Sequence, residues 1–181
     1  MTKRSLTLIF LLLVFAFGFY KSQYSKPSTQ VSTIGSNMAT AVLGAQTKVT
    51  DCVIRGALPD ASCTPGAIIS TATKDQICKS GYTKTVRNVP TALKNEVFHE
   101  YGIVTHSPGE YEIDHLVSLE LGGSNDISNL WPEAADPTPG FHEKDGVENT
   151  LHSQVCSGTM TLVQAQEVIA KDWSSVYKTS N

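Results

Sequence analysis

The sequence predicts a small α+β domain, mostly helical, built around a strand, turn, strand, helix unit and braced by disulfides. Three observations lead there. Residues 111–145, YEIDHLVSLELGGSNDISNLWPEAADPTPGFHEKD, set two short apolar runs either side of a Gly-Gly turn cluster, the pattern of a hairpin. From His142 onward Val147, Leu151 and Val155 recur every fourth residue, one face of a helix. Cys52, Cys63, Cys78 and Cys156 form an even set, which in an exported chain is read first as disulfides.

Export is read from the N-terminus. Lys3 and Arg4 precede an uncharged, mostly apolar run from Ser5 to Tyr20, the shape of a secretory signal and shorter than the ~20 apolar residues of a spanning helix. No clean small-x-small cleavage site follows, so a retained membrane anchor is the alternative for residues 1–20. Either one places the remainder outside the cytoplasm, secreted or periplasmic, and membrane-anchored if the segment stays uncleaved. Residues 21–47, rich in Ser, Thr, Gln and small residues, read as a flexible leader, and residues 48–181 as a single domain. Three cysteine pairings are open; the favoured one is a local clip, Cys52 to Cys63, and a long staple, Cys78 to Cys156.

Within the domain, residues 48–72 are punctuated by Gly, Pro and Cys and suggest a clipped loop. A short helix is expected over 73–81, with Thr71 or Thr73 near its start and Gly81 at its end, then a brief strand over 82–86 from the alternation YTKTV. The next helix has Pro90 at its first turn, Leu93, Val97 and Tyr101 on one face, and Gly102 as its stop. Tyr111 to Leu119 reads as the entering strand and Ile127 to Trp131 as the returning one, with Pro132, Pro137, Pro139 and Gly140 keeping the backbone irregular up to His142. Lys144 is spaced to pair with Glu148. A last helix starts near Thr161, with Gln164 in the capping-box position, and runs to Trp173.

Net charge is formally −3, and removal of Lys3 and Arg4 with the signal makes it about −5. A polyanion could not be coated globally; it would need a metal or a local patch. Lys74, Lys79, Lys84, Arg87 and Lys94 form such a patch, with Asp75 the sole acid among them, although an ordinary solvated face has the same composition.

Asp114, His115, Asn129 and His142 carry the chemistry. A carboxylate and an imidazole, Asp114 and His142, suit a hard divalent ion with open positions, which would hold a phosphate oxygen and stabilise the departing one. His115 would take the proton from an attacking water, since imidazole titrates near neutrality. Asn129 would fix His115 through its other ring nitrogen or through the local backbone. Adjacent strand residues face opposite sides, so Asp114 and His115 share a site only where the strand ends, twists or bulges. Each residue alone also has a plainer role: Asp114 and Asn129 as turn residues, His142 as a surface residue at a helix start.

The run Glu112-x-Asp114-His115-Leu-Val-Ser-Leu-Glu-Leu-Gly122-Gly123-Ser-Asn-Asp-x-x-Asn129-Leu130-Trp131-Pro132 resembles the HNH endonuclease motif, the ββα-metal or His-Me finger. The resemblance implies a finger at about 111–156, with Asp114 as metal ligand, His115 as general base, Asn129 as its orienting residue and His142 as the further metal ligand on the helix. Asn149 or His152 could replace His142, because the link from Asn129 is longer than in compact members. Cys78-x-x-Gly-Tyr-Thr-x-x-Val-Arg87, Lys144-Asp145-x-x-Glu148 and Cys156-Ser-Gly resemble an exported bacterial HNH-like group, over about residues 70–181. The implied activity is metal-dependent hydrolysis of phosphodiester bonds in DNA, with RNA as a second substrate and low sequence specificity. The implied cofactor is one divalent cation, Mg²⁺ first, with Mn²⁺, Ca²⁺ or Zn²⁺ as alternatives. No obligate protein partner is expected, and the membrane enters only through an uncleaved N-terminus. The alternative is a non-catalytic exported protein of this fold that binds metal or nucleic acid.

Overall fold

The computed structural model describes residues 43–180. The expected export segment and most of the leader, residues 1–42, lie outside the described residues. The elements run α1 (Lys74–Ile77), α2 (Tyr82–Val86), α3 (Thr91–Glu100), β1 (Tyr111–His115), two 3₁₀ turns (Leu119–Leu121 and Ile127–Asn129), β2 (Leu130–Ala134), α4 (Phe141–Ser157) and α5 (Leu162–Ser180). The described part is thus a small, mostly helical domain with one antiparallel pair of strands. Among the described residues no helix is long and apolar enough to cross a membrane.

The core forms where apolar periodicities meet. Val147, Leu151 and Val155 of α4 are buried against Ala165, Ile169 and Trp173 of α5, and α4 and α5 are neighbours. Leu116, Val117 and Leu121 from the segment after β1, with Leu130 and Trp131 of β2, complete it. Local signals set the helix starts. Thr73 and Gln76 form a capping box at α1, and Thr161 and Gln164 exchange the same pair of bonds before α5 (3.0 and 3.2 Å). Asp172 interrupts α5 with non-helical backbone, and its Oδ1 accepts from the Ser175 N–H, capping the final turns.

Four expectations are corrected. Residues 82–86 are the helix α2, because a lone strand there would leave its backbone groups without partners whereas a helical turn closes its own. Gly81, at φ 81°, opens α2 rather than ending α1, which stops at Ile77. The returning strand starts at Leu130 and runs through Pro132 to Ala134. Residues 127–129 form a 3₁₀ turn instead, where Asp126 Oδ1 accepts from Ser128 N–H (3.0 Å). Pro132 is tolerated because each strand of a two-stranded sheet has one unpaired edge. The entering strand likewise ends at His115 rather than Leu119.

Both favoured disulfides are present, Cys52 to Cys63 and Cys78 to Cys156, with sequence separations of 11 and 78. The second ties the end of α1 to the last turn of α4. On loop-closure entropy, removing the long staple by Cys78→Ala/Cys156→Ala should cost about 4 kcal/mol and removing the short clip about 3 kcal/mol. Urea unfolding of the two double variants checks both the size and the order.

Candidate active site

The strand pairing sorts the polar residues by face. Asp114 lies opposite Trp131, and Glu112 opposite Glu133. With side chains alternating along each strand, Glu112, Asp114, Trp131 and Glu133 share one face, and His115 is on the other with Ile113. β1 ends at His115, so the chain turns away directly after the base proposed from sequence.

The segment between the strands is held by Asn129, which is fully buried. Its Oδ1 accepts from Val117 N–H (2.9 Å), and its Nδ2 donates to Val117 O (3.0 Å) and Ser124 O (2.9 Å). Its own carbonyl accepts from Leu116 N–H (2.8 Å). Asn129 therefore bonds the backbone of the loop and makes no hydrogen bond to the His115 ring. Gly123 is needed beside it: a Cβ there would lie 1.8 Å from the Val117 carbonyl oxygen.

The imidazole itself is oriented by Asn125, which sequence reasoning read only as part of a turn. Asn125 Oδ1 accepts from Asn88 N–H (3.0 Å), and its Nδ2 donates to Val86 O (2.8 Å), which fixes which end of the amide faces inward. The oxygen faces His115, 3.2 Å from Nε2. Nε2 therefore carries the hydrogen and Nδ1 the lone pair. Nδ1 has no hydrogen-bond partner among the described residues, and the ring is nearly enclosed, His115 being 2% exposed. Burial, helped by the positive charges of Arg87 and Lys144, lowers the His115 pKa against the opposing pull of Asp114 and Asn125. The ring is thus a neutral base at neutral pH.

On the other face lies a buried lysine. Lys144, in the first turns of α4, is 0% exposed. Its Nζ donates to Asp114 Oδ2 (2.6 Å), to the His115 carbonyl (2.8 Å) and to Glu148 Oε1. Ser118 Oγ donates to the second oxygen of Glu148 (2.8 Å). The sequence spacing announced the pair Lys144 and Glu148, but not that it is buried under the sheet. Burial raises the Asp114 pKa and the Lys144 ammonium more than reverses this, so the net shift is down. Glu133 stands 4.0 Å from Nζ, and as the protonated acid it hydrogen-bonds the Asp114 carboxylate. Burial, with Asp114 and Glu148 adding to it, pushes Glu133 up to about 10, so it is protonated at neutral pH.

The expected metal pair is not brought together. Residues two apart on an α-helix point some 200° apart, so with Lys144 turned to Asp114, His142 faces away; it is exposed and packs on Phe141 (ring centroids 4.3 Å). Asn149 is also exposed and donates to Asp145 O, and His152 lies 3.1 Å from Ile77 O, so neither stands in for it. The helix residues that meet Asp114 are Lys144 and, through it, Glu148. Among the described residues one group of three possible ligands converges, Cys78, His152 and Cys156, and its two sulfurs are already joined as a disulfide. The residues at Asp114 therefore do not fit the divalent ion that the sequence resemblance implies, because an ammonium already fills their inner side. No family model, no curated protein and no solved structure matches the chain.

A buried acid that stays protonated makes the fold sensitive to alkali. Between the ordinary glutamate pKa and about 10, the folded chain holds a proton on Glu133 that the unfolded chain has released, so stability falls as pH rises. The slope from this one group is up to about 1.4 kcal/mol per pH unit. Glu133→Gln, which mimics the protonated acid, should flatten the decline, as read from melting temperatures between pH 5 and 9.

Proposed function

We propose that this chain hydrolyses phosphodiester bonds of nucleic acid, DNA first and RNA second, outside the cytoplasm, with His115 as general base. The observation that carries the reading is the fixed tautomer of His115: a depressed pKa and an Asn125 carbonyl on Nε2 leave Nδ1 as a neutral acceptor at the end of β1. In the proposed step Nδ1 takes a proton from a water molecule, whose oxygen forms the new bond to phosphorus while the bond to the leaving sugar oxygen breaks. The leaving oxygen collects its proton from solvent. Arg87, whose charge acts on both His115 and Glu112, would support a phosphate's negative charge. Lys94, whose charge also acts on Glu112, extends that support along α3. A divalent cation is the cofactor that the resemblance implies, and its expected ligands do not fit it. The two disulfides support a location in an oxidising compartment.

A second reading has one observation in its favour. With its inner side filled by Lys144, this finger could bind nucleic acid without cutting it. Digestion of plasmid DNA and of RNA by the mature chain separates the two. On the catalytic reading His115→Ala lowers cleavage by ~10² or more, and Asn125→Ala, which frees the ring, lowers it by less. Activity should persist as pH falls to about 6.5 and drop only below it, because the base form of His115 survives below the ordinary histidine pKa. Cleavage by the His115→Ala chain equal to the parent's removes the catalytic reading.

A further inference from the structure

We infer that Lys144 Nζ is the resident cation of this site, and that Asp114 and Glu148 are its ligands rather than those of a divalent ion. The ammonium has three hydrogens and three acceptors: Asp114 Oδ2 at 2.6 Å, the His115 carbonyl at 2.8 Å and Glu148 Oε1. Nothing is left over for a phosphate or a water. Burying an ammonium completely costs several kcal/mol unless such partners surround it, so its side chain is held in this one place.

The positions of its partners define what it does. One lies on the β1 side chain before the base, one is the backbone carbonyl of the base residue, and one is a turn further along α4. The cation thus pins the last residue of β1 to the helix from the face opposite the imidazole. In a metal-centred arrangement that pinning would fall to the ion; here it is covalently part of the chain and stays when chelator is added. Lys144 is accordingly a positioning residue. It touches no reacting atom, and it acts by fixing the His115 backbone while Asn125 fixes the ring.

The same oxygens explain what its removal would create. Asp114, Glu148, the His115 carbonyl and the nearby Glu133 are all hard oxygen donors, the type that Mn²⁺ and Mg²⁺ accept. With the lysine side chain cut back, these groups would face a space without their cation. The inference concerns the site's architecture and does not depend on whether bonds are cut there.

The test is a Mn²⁺ titration of the mature protein, followed by calorimetry and by the melting temperature with and without chelator. The wild type should show no Mn²⁺ binding that Asp114→Asn abolishes, and its melting temperature should be the same in chelator and in Mn²⁺. Lys144→Ala should melt lower in chelator and recover in proportion to the logarithm of Mn²⁺ concentration, binding the ion at least roughly tenfold more tightly than the parent. That recovery should vanish in Lys144→Ala/Asp114→Asn. His115→Ala keeps the carbonyl that the ammonium uses and should behave as the wild type, so loss of cleavage leaves this result readable. Wild-type Mn²⁺ binding that depends on Asp114 overturns the inference, as does a folded Lys144→Ala chain indifferent to Mn²⁺. Should Lys144→Ala not fold even with the ion, the comparison of wild type with Asp114→Asn decides alone.

Discussion

A single buried positive charge holds the β1–β2 hairpin to α4. Lys144 links α4 to the end of β1 through Asp114 and the His115 carbonyl, and its hydrogen bond to Glu148 closes the arrangement on the helix itself. The apolar stripe of α4 docks that helix on the core, but an apolar stripe tolerates sliding and rotation. A buried ion pair does not, because a small displacement leaves a charge without a partner. The lysine therefore sets the register of helix on sheet, and the hydrophobic residues supply most of the adhesion. Glu133 fits this account: two negative charges already balance more than the one ammonium, so a third buried acid beside them keeps its proton.

The loop between the strands solves a different problem. It must hold in place the imidazole carried by the last residue of β1. Asn129 uses both ends of its amide on the loop's own backbone, and Asn125 uses both ends of its amide to tie the ring to residues 86–88. Two asparagines four positions apart thus divide the work, one shaping the loop and the other setting the ring. The second also ties the His115 ring to the segment that carries Arg87.

Much of the scaffold was legible in the sequence because its signals are local. The capping box at Thr161, the every-fourth-residue stripe Val147, Leu151, Val155 and the even cysteine count are each decided by residues within a few turns or by simple pairing. The order strand, turn, strand, helix followed from the Gly-Gly cluster. What was not legible depends on partners far away in the chain. Tyr82 to Val86 alternates like a strand, and only the absence of a neighbouring strand there makes it helical. Asn125 looks like any turn asparagine until Val86 and Asn88 arrive from 37 to 39 positions upstream. Lys144 with Glu148 reads as a surface pair on spacing alone; its burial is set by Asp114, 30 residues away. His142 was drawn toward the site by its residue type, and the helical phase, fixed by Lys144, turns it outward.

Trp131 and Trp173 are the two tryptophans of the whole chain, and both are essentially without solvent contact. One sits on the strand face that carries Asp114, the other in the last helix just after the break at Asp172. Neither indole N–H has a hydrogen-bond partner among the described residues, and both rings are closed off from solvent. Their ultraviolet emission is therefore an intrinsic optical gauge of packing at two separate places. A red shift on mild perturbation would register loosening of the β1–β2 hairpin or of the C-terminal helix, with no label attached.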